Sequence, residues 1–263
     1  MSVALLLDLD ETLIEEDAAA AAAFEATAAF GEACDPRITD PVGFVAAARA
    51  QARHLWSSAP TYDYCRYIGI SSTEGLWCCF EGDGAATAAL RRRSPTYRRA
   101  TWSRALQTQG VKDDALTDAL AKRFAAERRA RHRVFADVGP ALAELRERHP
   151  LVLVTNGASC LQQEKLDRSG LRPFFDVVVV SAEFGAGKPD AAIFRYALSR
   201  LAEPHDQAVM LGDSLDRDID GALSAGLQAI WVNRLGQPRP ANRQEVVEVS
   251  TLDEAVATLS AAA

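Results

Sequence analysis

Asp8-Leu9-Asp10-Glu11-Thr12-Leu13 follows directly on the apolar run Val3-Ala4-Leu5-Leu6-Leu7. That run has the length and character of a strand buried on both faces. A buried parallel strand delivers its next residues at a carboxyl end, where open α/β sheets bind ligands. Asp8 and Asp10 leave it two positions apart, and strand alternation points both the same way. Taken alone, the segment also reads as a strand ending in a polar turn, with Asp10 or Thr12 capping a helix. Two carboxylates ~4 Å apart repel by about 4 kcal/mol at an effective dielectric of ~20, so the pairing calls for a cation.

Outward from this stretch, a strand–helix rhythm returns only after Val138. Residues 140–148 read as a helix, 151–154 as a buried strand ending in Thr155-Asn156-Gly157, and 161–171 as a helix interrupted by Gly170. A strand at 176–181 leads to Gly187-Lys188-Pro189-Asp190, which opens a helix to residue 201. A strand at 208–211 ends in Gly212-Asp213-Ser214. A helix at 218–225 closed by Gly226, a fifth strand at 229–232 and a last helix at 251–259 complete the chain. Five strands alternating with helices predict a Rossmann-like, doubly wound parallel sheet in the α/β class, with right-handed crossovers.

The segment between lacks this grammar. Helices are expected at 18–29, where alanines accompany Phe24 and Phe30, at 41–56, at 95–109 and at 116–135, with a loop at 69–84. The expected organisation is therefore a core of residues 1–16 and 136–263 interrupted by an all-helical cap at 17–135. Charge follows the same division. Residues 18–136 carry 17 Lys+Arg against 12 Asp+Glu, a balance of +5, whereas the rest carries 12 against 24, a balance of −12.

Hydrophobic residues at 48% and charged residues at 25% place the chain among ordinary globular proteins, and its 263 residues suit a domain with a large insertion. The first strand is expected to begin at residue 3, so no signal peptide is expected, and no apolar run has the length of a membrane span. Cys34, Cys65, Cys78, Cys79 and Cys160 are odd in number and follow no metal-ligand spacing. They read as reduced thiols of a cytoplasmic protein.

Asp8, Asp10, Thr155 and Asp213 all fall at expected carboxyl ends of strands, with Lys188 in a loop on the same side. Each alone has an ordinary explanation: a strand-end hydroxyl, a solvated loop lysine, a turn carboxylate. Their coincidence on one rim does not. Asp8-x-Asp10-x-Thr12, Thr155-Asn156-Gly157, Lys188-Pro189 and Gly212-Asp213-Ser214-x-x-x-Asp218-x-x-Gly221-Ala222-x-x-Ala225-Gly226 resemble, in order, the four motifs of the haloacid dehalogenase-like superfamily. The resemblance covers residues 1–16 and about 136–235. The insertion after the first motif resembles the mobile cap of one branch. The second and fourth motifs, with the helix between Leu161 and Leu166, are most similar to small-molecule phosphatases such as pyrimidine-nucleotide phosphatases and N-acylneuraminate-9-phosphatase.

The resemblance implies roles. Asp8 would be the nucleophile that accepts phosphate from a monoester, and Asp10 the general acid and then the general base. Thr155 and the Asn156 backbone would hold phosphate oxygens, and Lys188 would neutralise nucleophile and phosphate. Mg²⁺ would be held by the Asp8 carboxylate, the Asp10 backbone carbonyl and Asp213, with Ser214 and Asp218 outside direct coordination. An all-oxygen set suits Mg²⁺, and none of His54, His132, His149 and His205 lies near a motif. Dehalogenases of the superfamily displace a halide, which needs no proton, so Asp10 points to phosphoryl transfer.

The implied partner is a small-molecule phosphate ester, with no membrane and no nucleic acid, since an acidic core repels a duplex. Alternatives are a phosphomutase or phosphotransferase on the same two aspartates, and a catalytically silent phosphate-sensing or scaffold protein. Within the cap, residues 84–112 hold no carboxylate but include Arg91, Arg92, Arg93, Arg98, Arg99 and Arg104. They read either as surface and interdomain residues or as a means of selecting substrates with a second anionic group.

Overall fold

The fold is that of a computed structural model, in which the described residues are 3–203 and 207–261; His205 lies outside them. Six parallel strands form one sheet: β1 (Ala4–Leu7), β2 (Leu151–Thr155), β3 (Val177–Val180), β4 (Ala208–Gly212), β5 (Gln228–Val232) and β6 (Val247–Val249), in the order β3-β2-β1-β4-β5-β6. The helices are α1 (Glu16–Cys34), α2 (Pro41–Ser57), α3 (Tyr62–Ile68), α4 (Ser72–Gly75), α5 (Ala85–Thr108), α6 (Asp114–Arg129), α7 (Val138–Arg146), α8 (Ser159–Arg168), α9 (Ser181–Phe184), α10 (Ala191–Ser199), α11 (Asp220–Ser224) and α12 (Leu252–Ala261). Two units separate: Met1–Glu15, Arg133–Gly157 and Gln162–Ala263 form the sheet unit, and Glu16–His132 with Ala158–Leu161 the helical unit.

Strand alternation builds the sheet unit. Leu5 and Leu7 of β1, Leu151 and Leu153 of β2, and Val209 and Leu211 of β4 face one side, among Val138, Leu142 and Leu145 of α7 and Leu252, Ala255 and Val256 of α12. Ala4, Leu6, Val152, Val154 and Met210 face the other, among Ile193, Phe194 and Ala197 of α10 and Ala222 of α11. Both faces are covered, which is why the strands read as continuous apolar runs rather than as alternating patterns. β1 lies at the reversal of strand order, between β2 and β4. Leu7 stands opposite Leu153 on one side and Leu211 on the other. The chain therefore leaves β1 at the crevice where α/β sheets hold ligands.

Every regular element of Glu16–His132 is a helix. Asp40 caps α2, accepting from the Gly43 amide at 2.8 Å with Pro41 in the first turn, and Asp113 caps α6 in the same way through Leu116. Phe24 of α1, Phe44 of α2, Trp102 of α5 and Phe124 of α6 meet with ring centroids 4.5–6.0 Å apart.

Several expectations need correction. The helix expected at 95–109 begins ten residues earlier, at Ala85, with Pro95 inside it. Pro95 removes the donor for the Arg91 carbonyl; both residues are exposed, where water can take the missing place. The helix expected at 116–135 ends at Arg129, because Val134 bridges to Ile14 and Glu15 donates its amide to Arg133. The loop expected at 69–84 contains α4, closed by a reciprocal cap in which Ser71 and Glu74 bond to each other's amides. The sheet has a sixth strand, Val247–Val249. It is three residues long at an edge, and its Glu248 pairs with Arg239 at 2.7 Å, so no apolar run announces it. The helix expected at 218–225 is a π-helical turn, Leu215–Ile219, followed by α11. Among the described residues no helix is long and apolar enough to cross a membrane, and all five cysteines are free.

Candidate active site

Asp8 continues β1 by donating its amide to the Leu211 carbonyl of β4 at 3.0 Å, and its carboxylate is buried. Lys188 grips it. The Nζ atom stands 2.6 Å from Asp8 Oδ1 and 2.6 Å from Asp218 Oδ1, with both carboxylates and the ammonium almost wholly out of solvent. Thr12 donates its hydroxyl to Asp8 Oδ2 at 3.4 Å. The turn carrying Thr12 is itself fixed, since Arg234 donates to the Thr12 carbonyl at 2.8 Å, pairs with Asp137 at 3.0 Å and stacks over Phe135.

Lys188 has its place because Asn156 clasps its main chain. The Asn156 amide group donates to the Lys188 carbonyl at 2.9 Å and accepts the Lys188 amide at 2.8 Å. The Asn156 side chain is therefore a support for the loop, and its backbone remains the part available to an oxyanion. Thr155 ends β2 two residues beyond Leu153, the partner of Leu7, which places it on the same rim as Asp8. Its buried hydroxyl has no hydrogen-bond partner among the described residues, which is costly unless something fills the role.

The π-helical turn after β4 brings Asp218 back towards the strand end, where it accepts the Ser214 amide at 3.0 Å; Ser214 in turn accepts the Arg217 amide at 3.2 Å. Gly212 makes this fit, since a Cβ there would lie 2.4 Å from the Asp218 carboxyl carbon. Asp213 is fixed through its carbonyl, which accepts the Trp231 indole at 2.8 Å.

One carboxylate oxygen from each of Asp8, Asp213 and Asp218 lies within 4.8 Å of the other two. Burial pushes the Asp8 carboxyl up to about 7, Lys188 pulls against that, and Asp218 and Asp10 add to the rise. Burial likewise lifts Asp213 to about 8, reinforced by Asp8 and Asp218. Burial works against the Lys188 ammonium, but Asp218 and Asp8 outweigh it and hold the lysine charged. Three carboxylates share one lysine, so when all three are ionised they leave negative charge that the cluster's own residues do not offset, and the raised values of Asp8 and Asp213 reflect it. A hard divalent cation with oxygen ligands fits such a set.

Asp10 stands apart from the other aspartates. Its carboxylate turns to α8, where Lys165 Nζ lies 3.0 Å from both oxygens and Gln162 donates to Oδ2 at 2.9 Å. Neither residue is among the candidates that the sequence motifs single out. A signal was present, because Gln162 and Lys165 share the inward stripe of α8 with Leu161 and Leu166 and all four are buried. A lysine in a buried stripe demands a partner.

The arginines of α5 divide. Arg99 pairs with Asp114 and Asp118 of α6, at 2.6 and 2.5 Å. Arg98 donates to the carbonyls of Gly75 and Cys78. Arg91, Arg92 and Arg93 are exposed, with Arg91 reaching the Gly82 carbonyl at 3.4 Å. The most buried arginine of the helical unit is one that sequence reasoning did not single out: Arg128 pairs with Glu16, donates to the Arg131 carbonyl at 2.7 Å and lies over Trp77.

A sheet of this order, with a carboxylate at the end of β1, a lysine closing on it and a fourth-motif aspartate after β4, is matched by the family model for haloacid dehalogenase-like hydrolases over residues 3–226. The chain belongs to that family. It is 35% identical to a phosphoserine phosphatase of Thermus thermophilus over 95% of this chain and 96% of that protein. It is 41% identical to the pyrimidine 5'-nucleotidase YjjG of Escherichia coli over 39% of this chain and 46% of that one. Among solved structures it resembles the HAD-hydrolase YfnB of Bacillus subtilis bound to magnesium, with 25% identity, a TM-score of 0.64 and 98% of each chain covered. Its place in the family is among the phosphoric monoester hydrolases.

Proposed function

We propose that the chain hydrolyses a small-molecule phosphate monoester through an aspartyl-phosphate on Asp8, with Mg²⁺ as cofactor. The observation that carries this reading is the separation of duties between two neighbouring aspartates. Asp8 is clamped by Lys188 at 2.6 Å within a cluster of carboxylates, whereas Asp10 is held apart by Lys165 and Gln162. A nucleophile and a proton-transfer group are wanted in just that relation.

In the first half-reaction an oxygen of Asp8 attacks phosphorus in line with the departing alkoxide. The Asp8 O–P bond forms as the ester P–O bond breaks, and Asp10 gives its proton to the leaving oxygen. In the second half, water attacks phosphorus, Asp10 takes the proton that water loses, and the Asp8 O–P bond breaks to release phosphate. Lys188 balances charge on the nucleophile and the transferring group, while the Thr155 hydroxyl and the Asn156 backbone amide donate to phosphate oxygens. Asp8 and Asp213, with the Asp10 main-chain carbonyl, would hold Mg²⁺; Asp218 is committed to Lys188 and the Ser214 amide and stays outside direct coordination. When bound, the ion supplies positive charge to the phosphate and carboxylate oxygens.

The helical unit then serves as the cap that selects substrate. A compact monoester with a carboxylate is the first candidate, because the relative similar over nearly its whole length is named a phosphoserine phosphatase. Arg91, Arg92 and Arg93 are the members of the arginine run best suited to a second anionic group, since Arg98 and Arg99 have partners within their own unit. The test is phosphate release from phosphoserine, nucleoside monophosphates, sugar phosphates and a neutral alkyl phosphate, each with Mg²⁺ and with chelator. Turnover that survives exhaustive chelation, or no turnover of any monoester, contradicts the proposal.

A further inference from the structure

Lys165 and Gln162 converge on the aspartate that Lys188 does not touch. Lys165 is wholly buried, and its ammonium is equidistant, at 3.0 Å, from the two oxygens of Asp10. A lysine taken fully out of water is tolerated where a carboxylate meets it with good geometry. Contact with both oxygens also fixes the rotation of the carboxyl group, which a single hydrogen bond leaves free. Gln162 uses one N–H on Asp10 Oδ2 and the other on the Asn156 carbonyl. Asn156 clasps the Lys188 main chain, and Lys188 grips Asp8. One network thus sets the carboxyl of Asp10 in register with the nucleophile. Gly157 lets it form: a Cβ there would lie 2.4 Å from Gln162 Nε2.

We propose that Lys165 and Gln162 are positioning residues for proton transfer, holding Asp10 in the orientation from which it serves the departing and the attacking oxygen. This rests on the reading of Asp10 as general acid and base. The consequence is specific to the leaving group. An alkoxide needs the proton of Asp10 as the P–O bond breaks, whereas p-nitrophenolate departs with the bonding electron pair and needs none.

The experiment compares phosphoserine with p-nitrophenyl phosphate in the Mg²⁺-loaded enzyme, measuring the phosphorylation step by rapid quench for each. Lys165→Met, which keeps the apolar stem, should depress the alkyl substrate about a hundred-fold and lower the alkyl-to-aryl rate ratio at least ten-fold. Gln162→Met should act in the same direction more weakly, and serves if the lysine variant does not fold. Combining Lys165→Met with Asp10→Asn should add little to the loss from Asp10→Asn alone, because both remove one function. Since the ratio is internal to each preparation, partial unfolding leaves it unchanged. If Asp10→Asn leaves the ratio intact, the reading of Asp10 falls and the inference with it. If Asp10→Asn collapses the ratio but Lys165→Met and Gln162→Met do not, or the two losses multiply, the inference alone is overturned.

Discussion

The ammonium of Lys188 stands midway between two buried carboxylates, 2.6 Å from Asp8 and 2.6 Å from Asp218. Asp218 is thereby the counter-charge that fixes the lysine, leaving it aimed at the nucleophile. Lys188→Met removes the cation from the centre of three carboxylates. It should cut turnover by about 10²–10³, the range for removing one preorganised charge-stabilising donor, while Mg²⁺ still binds. Phosphate release with phosphoserine and calorimetric Mg²⁺ titration check both parts; turnover within threefold of the native enzyme contradicts the assignment.

The carboxylate cluster makes stability depend on pH in a direction set by its raised values. Asp8 and Asp213 are protonated up to about 7 and about 8 in the folded chain but only to about 3.8 when unfolded. The folded state therefore binds more protons across that window. In chelator, stability should fall as pH rises from about 4 to about 8, with the penalty fully present above that range. Mg²⁺ should reverse the trend, since it binds the ionised form. Melting curves at pH 5, 7 and 9, with chelator and with Mg²⁺, test this. Asp213→Asn should flatten the slope in chelator, and an unchanged slope sinks the explanation.

Most of the frame, and the polar residues at the ends of its buried strands, can be read from sequence for one physical reason. A fully buried parallel strand is a short apolar run, and its polar successors stand out against it, as Asp8, Thr155 and Asp213 do. β6 escapes because an edge strand of three residues with Glu248 in it has no such contrast. The α8 pair leaves a signal only in the stripe it shares with Leu161 and Leu166; its partner Asp10 lies 155 residues away in the chain, so the pairing itself has no local signature. Asp218 was expected to start a helix, and the π-helical turn that carries it to Lys188 has no signature in residue pattern. The helix expected at 95–109 starts ten residues before Pro95, and α5 runs through the proline, which lies on its exposed face.

Gly212→Ala places a methyl against Asp218, with ideal Cβ contacts of 2.4 Å to its carboxyl. Asp218 must then move, and Lys188 with it. Turnover should drop at least ten-fold, far more than the accompanying destabilisation of about 1–3 kcal/mol explains. Equal turnover per folded molecule in variant and native enzyme would show that Asp218 has room to adjust.

The arginines of the helical unit should separate by partner. Arg99→Ala, which loses exposed pairs with Asp114 and Asp118, should leave melting temperature and KM unchanged. Arg98→Ala strips donors from two backbone carbonyls and should cost about 1–3 kcal/mol of stability. Among Arg91, Arg92 and Arg93, one alanine variant should raise KM for phosphoserine while sparing a neutral alkyl phosphate. If none of the three changes that preference, the run has no part in substrate selection.

Passage of phosphate through Asp8 is tested most directly by trapping the phosphorylated residue. Radiolabelled phosphomonoester is mixed with enzyme and Mg²⁺, quenched in acid within milliseconds, and the protein digested and mapped. Label is expected on the peptide carrying Asp8, released by hydroxylamine as an acyl phosphate is, and enriched in Asp10→Asn with p-nitrophenyl phosphate because that variant is slow to activate water. Asp8→Asn and Asp8→Ala should show neither label nor turnover. Substantial turnover in either Asp8 variant, or label mapped to any other residue, contradicts passage through Asp8.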